Sequence, residues 1–230
     1  MNFQSILLTA ADTSYLGRVD KASLSTQTLM ELFIEGIENR EVICWSAEKP
    51  EDIDKWQGVT YGGEQNASGV ENLLKIQWTG RKLVGVIDLQ WISPTVFSLE
   101  IIGNKLSGSL NLTVLPPSIQ VLDLCYNAFS GEIDLCHLPT EMKKLNLSSN
   151  HLSGSLSLEE LPQSIESLSL CSNRFSGTVC LQNLPRSLQV LSVGANDLSR
   201  GLVAQWYVPP TELPLYPGSI RGKGIFRLHG

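Results

Sequence analysis

The chain has 230 residues, of which 42% are hydrophobic and 17% are charged, and this composition excludes wholesale disorder. Its net charge of −6 is uneven: residues 1–72 carry 5 Lys and Arg against 12 Asp and Glu, while residues 73–208 carry 9 against 10. A long, nearly neutral segment does not suit a surface that neutralises phosphates, so we expect no nucleic-acid partner.

Residues 1–24 are predicted to be an irregular N-terminal segment. Its apolar run is short and has no basic region before it, unlike a secretory signal. No stretch of the chain approaches the roughly 18 apolar residues of a membrane span. The cysteines are odd in number and show no C-x-x-C spacing, which favours free thiols over a disulfide framework or a zinc site: Cys44, Cys125, Cys136, Cys171 and Cys180. Together these features predict an intracellular, cytoplasmic protein with no membrane partner.

Residues 25–72 are predicted to form an N-terminal cap with one helix over residues 28–42. Thr28 and Glu31 have the spacing of a capping box at the start of that helix. Its apolar residues recur on one face: Leu29, Leu32, Phe33 and Ile37. We expect this face to cover the apolar end of the repeats that follow.

Residues 73–208 repeat every 23 residues. The most regular feature is an asparagine: Asn104, Asn127, Asn150, Asn173 and Asn196. Apolar residues lie eight, five and three positions before each asparagine and two after it, which gives the pattern L-x-x-L-x-L-x-x-N-x-L. One earlier unit keeps the pattern with Arg81 in place of the asparagine. The sequence therefore predicts six units, the first of them irregular.

The second half of each unit predicts another short strand. A glycine follows the asparagine by four positions, and apolar residues then alternate, as in Ile133 and Leu135. A Leu-Pro pair such as Leu138-Pro139 follows, and proline disfavours helical geometry in the residue before it. We therefore expect little helix between the repeats.

The repeat pattern closely resembles that of the leucine-rich-repeat family. The resemblance implies an α/β-type but mostly β solenoid, wound as a right-handed superhelix with a parallel sheet on its concave face. It also implies that each asparagine side chain bonds backbone groups of neighbouring turns. The S-G-x-[LIV] segments are similar to plant-type repeats, and the L-P-x-S linkers are similar to repeats of kinetoplastid protists. Trp56, Gly58 and Val59 resemble a plant N-terminal cap, but Tyr61 stands where that pattern has cysteine.

Residues 209–230 contain no repeat. The prolines of this segment predict a stiff, extended tail that cannot close the solenoid as a helix: Pro209, Pro210, Pro214 and Pro217. Two alternatives stay open for the tail. It folds against the last repeat, or it is frayed and a partner covers that end.

Residues between the strand leucines are predicted to face the concave side and to contact a partner there. The candidate contact residues are Glu100, Val121, Asp123, Tyr126, Lys144, Asn146 and Ser169. Tyr126 is the aromatic side chain beside this mostly polar floor, and tyrosine is enriched among residues that dominate binding energy. Asp123 and Lys144 flank it with opposite charges.

The sequence does not favour catalysis on the concave face. Glu100 and Asp123 are predicted roughly 4.8 Å apart on adjacent strands, near the ~5 Å carboxyl separation of retaining glycosidases, but the sheet spacing alone explains this. Cys125 and Cys171 are predicted to be small fillers. The histidines fall on no face shared with a cysteine or a carboxylate: His137, His151 and His229. No catalytic residue, metal site, cofactor or phosphate-binding loop is predicted.

The predicted function is recognition of a protein partner on the concave face, as a scaffold or adaptor. This is a step from fold to function by analogy. The chain is expected not to be an enzyme and to have no small-molecule substrate. Two alternatives remain. One is a structural subunit of a large assembly, and the other is a secreted or surface recognition module, which the sequons at Asn66, Asn111 and Asn146 permit.

Overall fold

The computed structural model describes residues 20–62 and 72–199, and the backbone of residues 219 and 220. Most of the predicted N-terminal segment 1–24 and of the tail 209–230 lies outside the described residues, as does the sequon at Asn66. The described end of the N-terminal segment is a 3₁₀ turn, Lys21–Ser23, capped by the side chain of Asp20.

The cap contains two helices where the sequence predicted a single one over residues 28–42. They are α1 (Thr26–Ile34) and α2 (Glu41–Cys44). Helix α1 begins after Ser25, whose hydroxyl accepts the N–H of Thr28, so the N-cap is Ser25 and not Thr28. The chain leaves helical geometry near Gly36, which passes so close to Val86 that a Cβ there would lie 2.5 Å from Val86 Cγ2.

Fourteen strands occur in the described residues: β1 (Val59–Gly62), β2 (Asn72–Gln77), β3 (Val84–Val86), β4 (Ser98–Glu100), β5 (Lys105–Gly108), β6 (Val121–Asp123), β7 (Ala128–Gly131), β8 (Lys144–Asn146), β9 (His151–Ser155), β10 (Ser167–Ser169), β11 (Arg174–Gly177), β12 (Val190–Ser192), β13 (Asp197–Leu198) and β14 (Ser219–Ile220). The main sheet has the order β1-β2-β4-β6-β8-β10-β12-β14, and the second sheet has the order β13-β11-β9-β7-β5-β3. This confirms the predicted mostly β solenoid with a parallel concave sheet, short second strands and a helical N-terminal cap.

Antiparallel strands close both edges of the main sheet. Strand β1 pairs with β2 at the N-terminal edge, and β14 pairs with β12 at the C-terminal edge. In the latter pair Leu191 lies opposite Ile220, and Ser192 lies opposite Ser219. An unpaired edge would present free backbone groups to another chain, so these two strands protect the solenoid from edge-to-edge association.

The two sheets differ in register. In the main sheet each residue lies opposite the residue 23 positions later, as Leu122 opposite Leu145. In the second sheet the offset is 21 positions, as Ser130 opposite His151. The second sheet is therefore displaced by two residues per turn relative to the first.

The hydrophobic core lies between the sheets. The leucine five positions before each asparagine is fully buried in every unit: Leu99, Leu122, Leu145, Leu168 and Leu191. The position two after the asparagine is partly buried at Leu198 in the last unit. In the four units before it this position is fully buried and alternates between leucine and phenylalanine: Leu106, Phe129, Leu152 and Phe175. Each such side chain contributes about 1.5–3 kcal/mol by leaving water, and no unit could bury these residues without its neighbours.

The asparagines join successive turns. Asn150 Oδ1 accepts the N–H of Phe129 at 3.0 Å, while its Nδ2 donates to the carbonyls of Leu124 and Leu147, both at 3.1 Å. The equivalent bonds recur at the other four positions: Asn104, Asn127, Asn173 and Asn196. Buried backbone groups at the strand ends are satisfied in this way.

A second ladder, which the sequence did not predict, runs along the linkers. In each of its rungs a hydroxyl donates at 2.7 Å to the carbonyl 22 residues earlier: Thr95 to Leu73, Ser118 to Val96, Ser164 to Met142, and Ser187 to Ile165. The serine of the L-P-x-S linkers therefore has a structural role. Glu141 occupies the equivalent place in the remaining linker, where the rung is absent.

The cap closes the first unit through close backbone contact. Ile37 forms an antiparallel bridge with Gly85, and a Cβ on Gly85 would lie 2.2 Å from the carbonyl oxygen of Gly36. Arg81, which stands in the asparagine place, bonds the side chain of Gln57. Asn39 of the cap donates to the carbonyl of Lys82 and accepts the N–H of Val84, so the cap pairs with the outer edge of β3.

Candidate functional site

The main sheet aligns most of the predicted contact residues in two columns. Glu100 lies opposite Asp123, and this column continues through Asn146 and Ser169. The neighbouring column places Val121 opposite Lys144. Because adjacent strands are about 4.8 Å apart, one partner surface can touch several members at once.

Asp123 is the centre of a polar network on this face. Its Oδ2 accepts hydrogen bonds from Lys144 Nζ at 2.9 Å and from Asn146 Nδ2 at 3.0 Å, and its Oδ1 accepts the N–H of Cys125 at 3.3 Å. Asn146 Oδ1 in turn accepts the hydroxyl of Ser148 at 2.6 Å. The network fixes both the lysine and the asparagine in one orientation.

The burial of Asp123 changes its expected role. Its side chain is only 4% exposed, whereas that of Lys144 is 46% exposed. Burial acts to raise the pKa of the Asp123 carboxyl, but the hydrogen bonds from Cys125, Lys144 and Asn146 outweigh it and hold that pKa below its usual range. The charged aspartate therefore positions Lys144 and Asn146, and these two present the network to solvent.

Glu100 belongs to a separate pair. Its carboxylate lies 2.9 Å from Lys75 Nζ and also accepts hydrogen bonds from Gln77 and Ser98. Burial acts to raise the pKa of Glu100, but these donors lower it overall. A retaining glycosidase needs one carboxylic acid whose pKa is raised. The pKa values of Glu100 and Asp123 are both lowered, so this pair lacks the acid.

Tyr126 follows the network at the end of β6 and is 63% exposed. Its φ is 57°, in the left-handed region that a bulky side chain seldom adopts. Its N–H donates to the carbonyl of Ser148 at 3.0 Å, which connects it to the turn that carries the network. Gly103 occupies the same place one unit earlier, also with positive φ, and that glycine was the available sequence signal for this backbone geometry.

The cysteines fill space. All five are unpaired. Cys125 is buried, and burial raises the pKa of its thiol to about 12, so the reactive thiolate is scarce at neutral pH. Cys171 is half-buried, with its Sγ 3.9 Å from Ser169 Oγ. Cys44 is buried in the cap, where burial likewise raises its pKa.

One expectation about the histidines was wrong. His137 does meet a carboxylate, because its Nδ1 lies 2.6 Å from Asp134 Oδ2 in the turn after β7. The contact with His137 holds the pKa of Asp134 below its usual range. Among residues 20–62 and 72–199, no group of three His, Cys, Asp or Glu side chains could hold a metal ion. Over the same described residues, no helix is long and apolar enough to cross a membrane.

Sequence comparison finds no matching family model and no matching curated protein. Solved structures do resemble the chain. The ectodomain of the receptor kinase SOBIR1 from Arabidopsis thaliana matches 76% of this chain and 95% of its own, with 24% identity and a TM-score of 0.57. Pollen receptor kinase 3 matches 75% of this chain and 83% of its own, with 25% identity and a TM-score of 0.57.

A third structure contains bound partners. The Arabidopsis receptor kinase HAESA, solved with the peptide hormone IDA and the co-receptor SERK1, matches 76% of this chain with 26% identity and a TM-score of 0.60. This chain spans only 30% of the HAESA chain. These likenesses and the two-sheet architecture define the class: the fold is a leucine-rich-repeat solenoid of the kind found in plant receptor ectodomains.

Proposed function

We propose that this protein is a protein–protein interaction module, a leucine-rich-repeat scaffold or adaptor whose partner docks on the concave face around Tyr126, Lys144 and Asn146. The observation that carries the proposal is Tyr126, which is 63% exposed in a left-handed backbone conformation. The equivalent residues of the other units share the positive φ, so this backbone geometry belongs to the repeat, and the exposed ring is what distinguishes Tyr126. Val121 and Ser169 extend the same surface along the two columns.

Preorganisation supports this function. Lys144 and Asn146 are already held by Asp123 before a partner arrives, so little side-chain entropy remains to be lost on binding. Repeat stacks also present rigid surfaces. The HAESA structure, which holds a peptide hormone and a co-receptor, supports a protein or peptide as the partner here. Under this proposal the chain is not an enzyme and needs no cofactor, nucleic acid, membrane or small-molecule substrate.

The test is a double substitution, Tyr126→Ala with Lys144→Glu. It removes the exposed ring and reverses the positioned charge, so the main partner should no longer co-purify from the native cell. The matched control is Phe97→Ala with Lys143→Glu, which changes an exposed aromatic and an exposed lysine outside the two columns. The control should retain the partner, and circular dichroism should be unchanged in both variants. If the first variant keeps the partner and deletion of residues 209–230 loses it, the tail is the binding element.

A second candidate is a secreted or surface recognition module, favoured by the ectodomain structures that share the fold. Our proposal of an intracellular, cytoplasmic location rests on the five unpaired cysteines. Glycans on Asn111 would decide for secretion. Asn111 is exposed, while the amide of Asn146 is engaged with Asp123 and is a poor site for a glycan.

The similarity to kinetoplastid repeats also remains a proposal, and it rests on the L-P-x-S linkers alone.

A further inference from the structure

A row of cations runs along one edge of the solenoid, immediately after the asparagine ladder. The residue that follows the asparagine place is exposed in five of the six units, and four of these residues are basic or histidine. We name these four the basic edge: Lys82, Lys105, His151 and Arg174. Lys105, His151 and Arg174 each begin a strand of the second sheet, and Lys82 lies two residues before β3, so the row runs along this sheet.

The cations of the basic edge differ from those of the concave face in having no ionic partner. Lys75 and Lys144 on the concave face are paired with Glu100 and Asp123. Across the described residues, no ion pair involves Lys82, Lys105 or Arg174. Unpaired cations keep their potential available to a ligand.

The basic edge also contrasts with the rest of the molecule. The chain carries a net charge of −6. The linkers between the repeats bear exposed carboxylates, such as Asp88, Glu159 and Glu160. The carboxylates near the basic edge include Glu38, whose N–H donates to the carbonyl of Val84, Glu132, whose side chain lies beside Gly154, and Asp197, at the far end. A positive strip attracts anionic ligands. Because the rest of this protein is acidic and repels such ligands, an anionic ligand should bind at this strip.

Hydroxyl groups lie beside the cations. The second-sheet register places Ser130 opposite His151 and Ser153 opposite Arg174. A carboxylate held by a cation can accept a further bond from such a hydroxyl. The exposed ring of Tyr126 also belongs here, since the carbonyl of Tyr126 accepts the N–H of Asn104, the residue before Lys105.

The length of the strip fits a short extended segment. Lys105 and Arg174 are three turns apart, which is roughly 14 Å across the strands, and the shift of two residues per turn adds six residues, or roughly 20 Å, along them. The two residues are therefore roughly 24 Å apart, a distance that an extended chain covers in about seven residues. Alternate side chains of such a segment lie on one side about 6.6 Å apart, so three or four acidic residues would face the strip.

We propose that the basic edge binds an acidic, extended polypeptide segment of the partner, next to the contact made by Tyr126. This inference rests on the proposed function and adds the chemistry of the partner to it. A polypeptide is favoured over a nucleic acid because three sparse cations with serine hydroxyls between them do not follow the dense charge of a phosphate backbone.

The test uses a fluorescein-labelled peptide of eight alternating glutamate and serine residues, titrated with the full chain at low and physiological salt. Anisotropy should show binding that weakens with salt. Lys105→Glu with Arg174→Glu should weaken binding at low salt by about tenfold or more, since two reversals turn attraction into repulsion. Lys49→Glu with Lys143→Glu makes the same change in net charge elsewhere and should leave binding unchanged.

Three results would overturn the inference: no binding at low salt, equal losses in both double variants, or tighter binding of an eight-nucleotide single-stranded DNA than of the peptide. The edge variant leaves Tyr126 and Lys144 intact. Loss of peptide binding together with retention of Tyr126-dependent partner capture would therefore separate the charge contact from the concave contact. A failed partner test with intact peptide binding would reject the proposed function and leave the basic edge standing.

Discussion

Lys144 Nζ lies 2.9 Å from Asp123 Oδ2, although Lys144 is directly opposite Val121 in the sheet. The pair is diagonal across strands β6 and β8, and the length of the lysine side chain lets it reach back to the neighbouring column. Asp123 thereby becomes a buried anchor, and the concave face presents a positioned lysine where two separate charges were predicted.

We predict that Asp123→Asn destabilises the protein by about 1–2 kcal/mol at neutral pH, because the hydrogen bonds to a charged acceptor are weakened. The folded pKa of Asp123 is lowered, so its contribution is present above the unfolded value of about 3.9 and is lost as pH falls through the folded pKa. Urea denaturation at pH 7, 5 and 3 should show wild type and variant converging at the acidic end. A gap that stays constant down to pH 3 would contradict this assignment.

The period of 23 residues was sufficient to predict the main sheet, the stacked leucines and the asparagine positions, because repeated spacing places equivalent residues one above another. It could not predict that Asp123 is covered, since this depends on the reach of Lys144 from the next strand. It also missed the left-handed backbone of Tyr126, although Gly103 in the same place hinted at it. The sequence predicted which side chains lie on the concave face, but not which residues they bond.

Replacing Asn150 with Ala should cost about 1–3 kcal/mol, since the N–H of Phe129 and the carbonyls of Leu124 and Leu147 would lose their bonds in a buried place. Asn183→Ala is the control, because Asn183 is exposed. Thermal melting of both variants measures the difference. If the Asn150 variant had the same melting temperature as the wild type, the asparagine bonds would not explain why the asparagine recurs every 23 residues.

The linker ladder predicts a gain in stability. Glu141→Ser would supply the missing rung, with its hydroxyl placed like that of Ser118, and should add about 0.5–1 kcal/mol. Ser118→Ala should lose a similar amount because the carbonyl of Val96 would lose its donor. Denaturant unfolding compares the two. If Ser118→Ala destabilises and Glu141→Ser has no effect, the third linker is not equivalent to the others.

The junction between cap and repeats predicts a strong dependence on Gly85. A Cβ there would lie 2.2 Å from the carbonyl oxygen of Gly36, and φ is +112°, so Gly85→Ala should cost about 2–4 kcal/mol through overpacking and strain. Gly103→Ala has a positive φ but nothing within 4 Å of the added atom, and should cost only about 1 kcal/mol. Hydrogen exchange should show faster opening of residues 36–39 in the Gly85 variant alone. Equal losses at both glycines would mean that the close contact carries no energy.

The end of the cap helix shows why the boundary at this junction was mispredicted. Residues 28–42 keep a helical apolar pattern, yet the helix ends at Ile34. The pattern continues because Ile37 is buried against Gly85 as a bridge partner and not as part of a helix face. A buried position has an apolar residue whether it lies in a β-bridge or on a helix face, so the sequence pattern is the same in both cases. Only Gly36 indicated that the helix ends.

Photo-cross-linking from Tyr126 tests the central claim most directly. A benzoylphenylalanine placed at Tyr126 keeps an exposed aromatic ring in the same position and captures whatever lies against it in the native cell. The account predicts one dominant adduct from this position, lost when Lys144→Glu is added, and no matching adduct from the same probe at Lys49 in the cap. A partner captured from Lys49 and not from Tyr126, or an adduct indifferent to Lys144→Glu, would contradict recognition on the concave face.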